Sequence, residues 1–218
     1  MKIGTCVNFS EIDGMGKKFA RLREHNFDSC QLVSWNPAAW TDENASLLKT
    51  LLEQYQITVS AFWCGWSGPA AWNFYDGPLT LGLVPVEYRQ MRIENLCDGA
   101  DFAHKLGITD VVTHMGFIPE NPYDPNFSSF CIAVRTVAEH LKKNGQCLLF
   151  ETGQETPVTM LRCFEAVGTD NLYVNLDTAN LILYGKANPA DALDVFGKYV
   201  RNLHAKDGCY PTNGHELG

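Results

Sequence analysis

The sequence predicts an α/β fold in which helices connect the strands of a parallel sheet. Short runs rich in apolar and β-branched residues alternate with longer segments whose apolar residues recur at helical spacing. This order gives seven predicted strands and six predicted helices. Such alternation is typical of parallel strands joined by right-handed crossovers. A (β/α)8 barrel and an open doubly wound sheet both fit the pattern.

The predicted strands are short apolar runs bounded by polar and turn residues. The third, IleThrValSerAlaPheTrpCys, combines β-branched and aromatic side chains, which pack well on a pleated surface. In chain order, the strands are predicted at 2–8, 29–35, 57–64, 109–114, 146–151, 172–177 and 200–204.

The predicted helices carry apolar stripes and recognisable ends. Thr41 opens the second helix, where Asp42 and Glu43 interact favourably with the helix dipole. Gly107 and Gly168 follow two later helices, because glycine readily adopts the left-handed conformation that ends a helix. In chain order, the helices are predicted at 13–26, 41–55, 86–106, 128–143, 157–167 and 189–199.

A glycine- and proline-rich segment, residues 65–85, separates the third strand from the third helix. It contains Trp66, Trp72, Phe74 and Tyr75. Because a loop of about twenty residues in a compact domain is usually functional, these aromatic residues favour an ordered loop over a pocket. A packed surface loop is the alternative.

The composition excludes several classes of protein. Of the 218 residues, 45% are hydrophobic and 19% are charged, which supplies a core and argues against a disordered chain. The formal net charge of −8 offers nucleic acid no general attraction. No apolar run predicts a membrane span or a signal peptide, so we expect a cytoplasmic protein. The eight cysteines form no CxxC pair and are expected to be free thiols.

Two nucleotide-binding motifs are absent from the sequence. The segment Gly14-Met15-Gly16 lacks the third glycine of GxGxxG, and no GxxxxGK[ST] loop occurs. Their absence weakens the interpretation as a nucleotide-binding doubly wound sheet.

The last four predicted strands each end in a residue that can bind a metal ion or transfer a proton. These residues are His114, Glu151, Asp177 and His204. In a parallel α/β barrel the carboxyl ends of the strands meet at the active site, so these side chains would lie around one axis. The donor set suits Mn²⁺, Mg²⁺, Co²⁺ or Zn²⁺. Taken singly, a polar residue after a strand also fits an ordinary loop, and His114 could orient a neighbour instead.

Several segments resemble motifs of the xylose-isomerase-like TIM-barrel superfamily of sugar isomerases and epimerases. They are PheGluThrGlyGlnGluThr (150–156), AsnLeuAspThrAlaAsnLeu (175–181), HisAlaLysAspGly (204–208) and ThrHisMetGly (113–116). The resemblance implies a (β/α)8 TIM barrel and a role for each matching residue. It implies Glu151 as catalytic base and metal ligand, Asp177 and His204 as metal ligands, and Glu155, Asn180 and Lys206 as substrate-binding or supporting residues. His114 is expected to bind substrate because of its position at the end of a predicted strand.

One feature of the family is missing from the sequence. The family's eighth strand carries a last metal-binding glutamate, whereas only about a dozen residues follow the seventh predicted strand here. We therefore expect a single barrel domain, 1–218, truncated after its seventh strand, with Glu216 as a remote alternative for the fourth ligand. Because unpaired strand edges promote association, we expect a homo-oligomer, an exchanged element, or closure of the gap by residues 209–218.

These features predict a divalent-metal-dependent isomerase or epimerase of an unphosphorylated ketose or aldose. The ion would stabilise the enediolate that forms when Glu151 removes the proton beside the carbonyl. Epimerisation needs a second acid on the opposite face, so both outcomes stay open. Trp35, Trp63 and Trp66 either form indole walls for a sugar, with Trp66 a substrate contact, or pack the rim. The alternatives are a non-catalytic metal- or sugar-binding barrel and an endonuclease-IV-type nuclease, which the charge of −8 opposes.

Overall fold

The computed structural model describes residues 2–218 and contains one parallel sheet of seven strands. The strands pair in sequence order, each with the next along the chain. A doubly wound sheet would reverse the strand order at its centre, so the strictly sequential order confirms the barrel fold. The strands are β1 Thr5–Asn8, β2 Ser29–Ser34, β3 Thr58–Cys64, β4 Asp110–Thr113, β5 Cys147–Glu151, β6 Leu172–Asp177 and β7 Val200–His204.

Helices follow the strands as predicted, with differences at their ends. They are α1 Met15–Glu24, α2 Asp42–Tyr55, α3 Gly77–Thr80, α4 Val86–Lys105, α5 Pro125–Lys143, α6 Pro157–Val167, α7 Thr178–Leu183 and α8 Pro189–Phe196. The short helices α3 and α7 were not predicted. Helix α5 begins three residues early, because the Asp124 side chain accepts a hydrogen bond from the Asn126 backbone and Pro125 suits the first helical position. Among the described helices, none has the length and apolarity that a membrane crossing requires.

The two faces of the sheet form separate apolar clusters. The larger core contains Phe62, Leu148 and Phe150, together with apolar residues of the helices. Ala61, Trp63, Val112 and Leu149 form a second, smaller cluster. Because successive residues of a strand point to opposite faces, the smaller cluster occupies the inner side of the curved sheet, away from the helices.

Strands β1 and β7 are the free edges of the sheet within residues 2–218. The sheet curls until Cys6 Sγ of β1 lies 3.9 Å from His204 Nε2 of β7, but no strand pairing joins them. The prediction of a TIM-barrel fold with seven strands is confirmed, and the seven strands form an open part of the barrel. Residues 209–218 direct hydrogen bonds to the region of α7, where the Gly218 N–H donates to the Leu183 carbonyl at 3.0 Å. Association through the free edges stays a prediction.

Candidate active site

Three polar side chains meet where β5, β6 and β7 end. Glu151, Asp177 and His204 are the last residues of these neighbouring strands. The strand register pairs Asp177 directly with His204. One potential ligand atom of each side chain lies within 4.8 Å of the other two. The fold therefore brings the predicted metal ligands into a single cluster.

This cluster fits a divalent cation. His204 Nδ1 lies 2.7 Å from Glu151 Oε1 and 3.6 Å from Asp177 Oδ2. Both carboxylates are buried, and buried carboxylates this close require a neighbouring positive charge. Carboxylate oxygens and one imidazole nitrogen are donors that Mn²⁺, Mg²⁺ and Zn²⁺ accept. Three protein ligands would leave further coordination positions for substrate oxygens.

The charges in the cluster are strongly coupled. Burial alone would favour neutral imidazole, but hydrogen bonds to Asp177 and Glu151, with the Glu151 charge, raise the pKa of His204 to about 12. Burial raises the pKa of Glu151. Burial acts in the same direction on Asp177, yet hydrogen bonds from His204 and the Asn180 backbone hold the Asp177 pKa below its ordinary value. Without metal, the site therefore holds a protonated imidazole, whose proton a bound ion would replace.

Asp177 also organises the chain that follows it. Its Oδ1 accepts a 2.8 Å hydrogen bond from the Asn180 backbone and so caps α7. Asn180 Oδ1 in turn accepts a 2.9 Å hydrogen bond from Lys206 Nζ, which lies 3.5 Å from Asp177 Oδ2. The structure thus places Asn180 and Lys206, both predicted substrate contacts, beside the carboxylates.

The cluster opens into a cleft of about 410 Å³ with an aromatic wall. Trp35, Trp63 and Trp72 line it, and the Trp35 ring centroid is 5.0 Å from Trp63 and 6.1 Å from Trp72. Trp35 and Trp72 keep 37% and 40% of their surface exposed, so their rings are available to a ligand. Trp72 lies in the 65–85 segment, whose aromatic residues had suggested a loop over a pocket.

His114 lies in the cleft between two of these indoles. Its ring centroid is 5.5 Å from that of Trp63 and 4.9 Å from that of Trp72. Its Nδ1 lies 3.0 Å from Gln154 Oε1. Burial lowers the pKa of His114 to about 3, so the ring is neutral and can exchange hydrogen bonds with a polar, uncharged group.

Three residues considered from the sequence lie outside the cleft lining. Glu155 is buried, and neither of its carboxylate oxygens has a hydrogen-bond partner among the described residues. Its neighbour Gln154 lines the cleft instead. Trp66 is buried, with its ring centroid 5.0 Å from that of Trp35, and it packs against the buried Arg92. Glu216 is exposed and does not belong to the ligand cluster.

The sequence interpretation missed a pair of buried amides behind the ligands. Gln31 Nε2 donates to Asn175 Oδ1 at 2.9 Å, and Asn175 Nδ2 donates to Glu151 Oε2. Gln31 Oε1 lies 2.7 Å from His204 Nε2. In the sequence, each of these amides is the single amide in a mostly apolar strand. Because a buried amide needs polar partners, this pattern could have indicated that the two contact each other or the ligands.

Comparisons with known proteins agree with this architecture. The sequence model of the xylose isomerase-like TIM barrel family matches residues 19–217. A xylose isomerase domain protein from Planctomyces limnophilus has 29% identity and a TM-score of 0.90, over 99% of this chain and 79% of that one.

Two further solved structures are similar at lower identity. A xylose isomerase-like TIM barrel protein from Mycobacterium smegmatis, in complex with magnesium, has 20% identity and a TM-score of 0.68, over 90% of this chain and 67% of that one. A D-allulose 3-epimerase from Methylomonas sp., in complex with D-allulose, has 15% identity and a TM-score of 0.70, over 93% and 72%. At these identities the likeness shows the fold alone.

Proposed function

The chain belongs to the xylose isomerase-like TIM-barrel family, and we propose that it is a divalent-metal-dependent isomerase or epimerase of an unphosphorylated ketose or aldose. The observation that carries the proposal is the convergence of Glu151, Asp177 and His204 in a cleft walled by indole rings. The epimerase bound to D-allulose and the barrel bound to magnesium support a sugar substrate and a divalent ion. An ion held by these three side chains would stabilise negative charge that develops on the substrate's oxygens.

Glu151 acts as the base in this proposal. Its Oε2 accepts a hydrogen bond from Asn175, and its Oε1 faces the cluster. Burial raises the pKa of Glu151, which makes its carboxylate a stronger base than an exposed one. It takes the proton from the carbon beside the carbonyl, and the electron pair of that bond forms a C=C bond as the carbonyl oxygen becomes negative. For isomerisation, this proton returns to the former carbonyl carbon while the proton of the adjacent hydroxyl moves to the negative oxygen, so that the carbonyl shifts by one carbon.

Epimerisation returns a proton to the opposite face of the same carbon, which requires a second acid there. Among residues 2–218, the carboxylates that line the cleft are Glu151 and Asp177, both of the proposed metal cluster. Analysis of the product distinguishes the two reactions, because the carbonyl moves to a new carbon in isomerisation and stays in place in epimerisation.

The remaining cleft residues suit a neutral polyol. Trp35 and Trp72 can cover the apolar C–H face of a sugar, while His114 and Asn180 can exchange hydrogen bonds with its hydroxyls. Lys206 is the one lysine or arginine among the described lining residues, and Asn180 and Asp177 already engage it. The cleft thus lacks the paired basic side chains that bind a phosphate.

Proton exchange at carbon tests the proposal. The chain is incubated with Mn²⁺ and a panel of ketohexoses and aldohexoses in D₂O, and NMR follows the hydrogen beside the carbonyl. We expect exchange with at least one sugar, and a rate about 10²-fold lower in Glu151→Gln. The exposed Glu165→Gln, which lies outside the cleft, is the control. Sugar binding without exchange would contradict the proposal and support a non-catalytic barrel.

A further inference from the structure

A chain of hydrogen bonds connects two of the proposed metal ligands through two buried amides. It runs from Glu151 Oε2 to Asn175, then to Gln31, and ends at His204 Nε2. Gln31 belongs to β2, whereas the other three residues belong to β5, β6 and β7. Gln31 therefore reaches across the inside of the barrel to contact Asn175 of β6 and one proposed ligand, His204 of β7.

The donors and acceptors in this chain fix its direction. A carboxylate only accepts, so Asn175 must donate its amide N–H to Glu151 and present its oxygen to Gln31. Gln31 then donates through Nε2 to Asn175 and presents Oε1 to His204. Because an amide oxygen only accepts, His204 must carry a hydrogen on Nε2.

The direction decides which imidazole nitrogen can bind an ion. With hydrogen on Nε2, the nitrogen left for a metal is Nδ1, which lies 2.7 Å from Glu151 Oε1 and 3.6 Å from Asp177 Oδ2. Cys6 Sγ is a second neighbour of Nε2, but at 3.9 Å it is a much weaker partner than the Gln31 oxygen at 2.7 Å.

We propose that Gln31 is a positioning residue, which holds His204 with its hydrogen on Nε2 and its Nδ1 aimed at the metal position. The inference rests on the proposed function for the nature of the ligand, a divalent cation. An outer partner that fixes the tautomer and orientation of a metal-binding histidine is typically worth a 10- to 100-fold change in metal affinity. Removal of Gln31 should therefore weaken metal binding, although Gln31 contributes no ligand atom.

The first test measures Zn²⁺ affinity by competition with a chromophoric chelator. Gln31→Met fills the same space without hydrogen bonds, and we expect about 10- to 100-fold weaker binding. Gln31→Glu keeps an acceptor for His204 Nε2–H but has no N–H for Asn175 Oδ1, so it should recover only part of the affinity that Gln31→Met loses. Gln31→Asn, whose amide is one methylene shorter, should bind weakly and serves as the second variant if Gln31→Met does not fold.

Gln146→Met is the matched control. Gln146 is buried, as Gln31 is, and donates two hydrogen bonds, to the carbonyls of Ala100 and Ile108 at 3.0 and 2.9 Å. It lies just before β5, at the end of the strand opposite Glu151. Its loss should lower stability in a similar way and leave Zn²⁺ affinity unchanged.

The second readout is the ¹⁵N–¹H ring spectrum of zinc-loaded protein. In the wild type, His204 should show a hydrogen on Nε2 and a zinc-shifted Nδ1, and Gln31→Met should lose this single pattern. Wild-type affinity with an unchanged ring pattern in Gln31→Met, or equal affinity losses in Gln31→Met and Gln146→Met, would overturn the inference alone. Wild-type affinity in Asp177→Ala would instead overturn the proposed metal site, and the inference with it.

Discussion

Replacing Glu155 by glutamine tests whether this carboxyl group is buried behind the cleft or faces a substrate. Burial raises the pKa of Glu155 from an ordinary 4.5 to about 8, with the charge of Lys186 opposing the shift. Between these two pH values the unfolded chain has lost the proton that the folded chain retains. Since the unfolded state then binds fewer protons, the free energy of unfolding falls as pH rises. From pH 5 to pH 8 the loss is on the order of 3 kcal/mol.

Glutamine has nearly the same shape as glutamate but carries no proton that titrates in this pH range. The wild type should therefore lose about 3 kcal/mol more unfolding free energy than Glu155→Gln as the pH rises from 5 to 8. Urea denaturation of the metal-free protein, followed by tryptophan fluorescence, measures it. The exposed Glu53→Gln provides the control, with little change expected. Parallel pH curves for the wild type and Glu155→Gln would contradict a neutral, buried Glu155 and make this residue a candidate substrate contact again.

Three other substitutions separate metal binding, substrate binding and loop anchoring. Asp177→Ala should abolish tight Mn²⁺ binding in calorimetry and cost only about 1 kcal/mol of stability, the value of a lost helix cap; undiminished Mn²⁺ binding would contradict the site. Trp72→Ala should weaken sugar binding about tenfold, whereas removal of the 92%-exposed ring in Tyr123→Ala should not; equal effects would argue against an aromatic wall. Arg92 is buried and donates hydrogen bonds to three carbonyls of residues 65–85. Arg92→Met should therefore speed limited proteolysis of that segment and lower the free energy of unfolding by about 2–3 kcal/mol. Unchanged proteolysis would show that other contacts hold the segment.

The strands and the ends of the late strands were predictable because local sequence encodes them directly. A parallel barrel aligns the carboxyl ends of its strands, so knowing where β5, β6 and β7 end was enough to expect Glu151, Asp177 and His204 together. The prediction of α6 at 157–167 also held to the residue, because Thr156 caps one end and Gly168 closes the other.

What the sequence did not reveal depends on where side chains point. Asp177 is both a candidate ligand and the cap of α7, and a six-residue helix directly after a strand leaves no periodic pattern. Trp66 and Trp72 look alike in a loop sequence, but only the folded path of residues 65–85 turns Trp72 toward the cleft. Gln31 is a single amide in an apolar strand, and its partners lie more than a hundred residues away in the chain.

Anomalous diffraction from crystals of the Mn²⁺-loaded protein shows whether Glu151, Asp177 and His204 bind the ion together. We expect one strong Mn²⁺ peak in the cleft, with an oxygen of Glu151, an oxygen of Asp177 and Nδ1 of His204 each about 2.0–2.3 Å from the ion. A well-ordered cleft without an ion at saturating Mn²⁺, or an ion bound by other residues, would contradict this expectation.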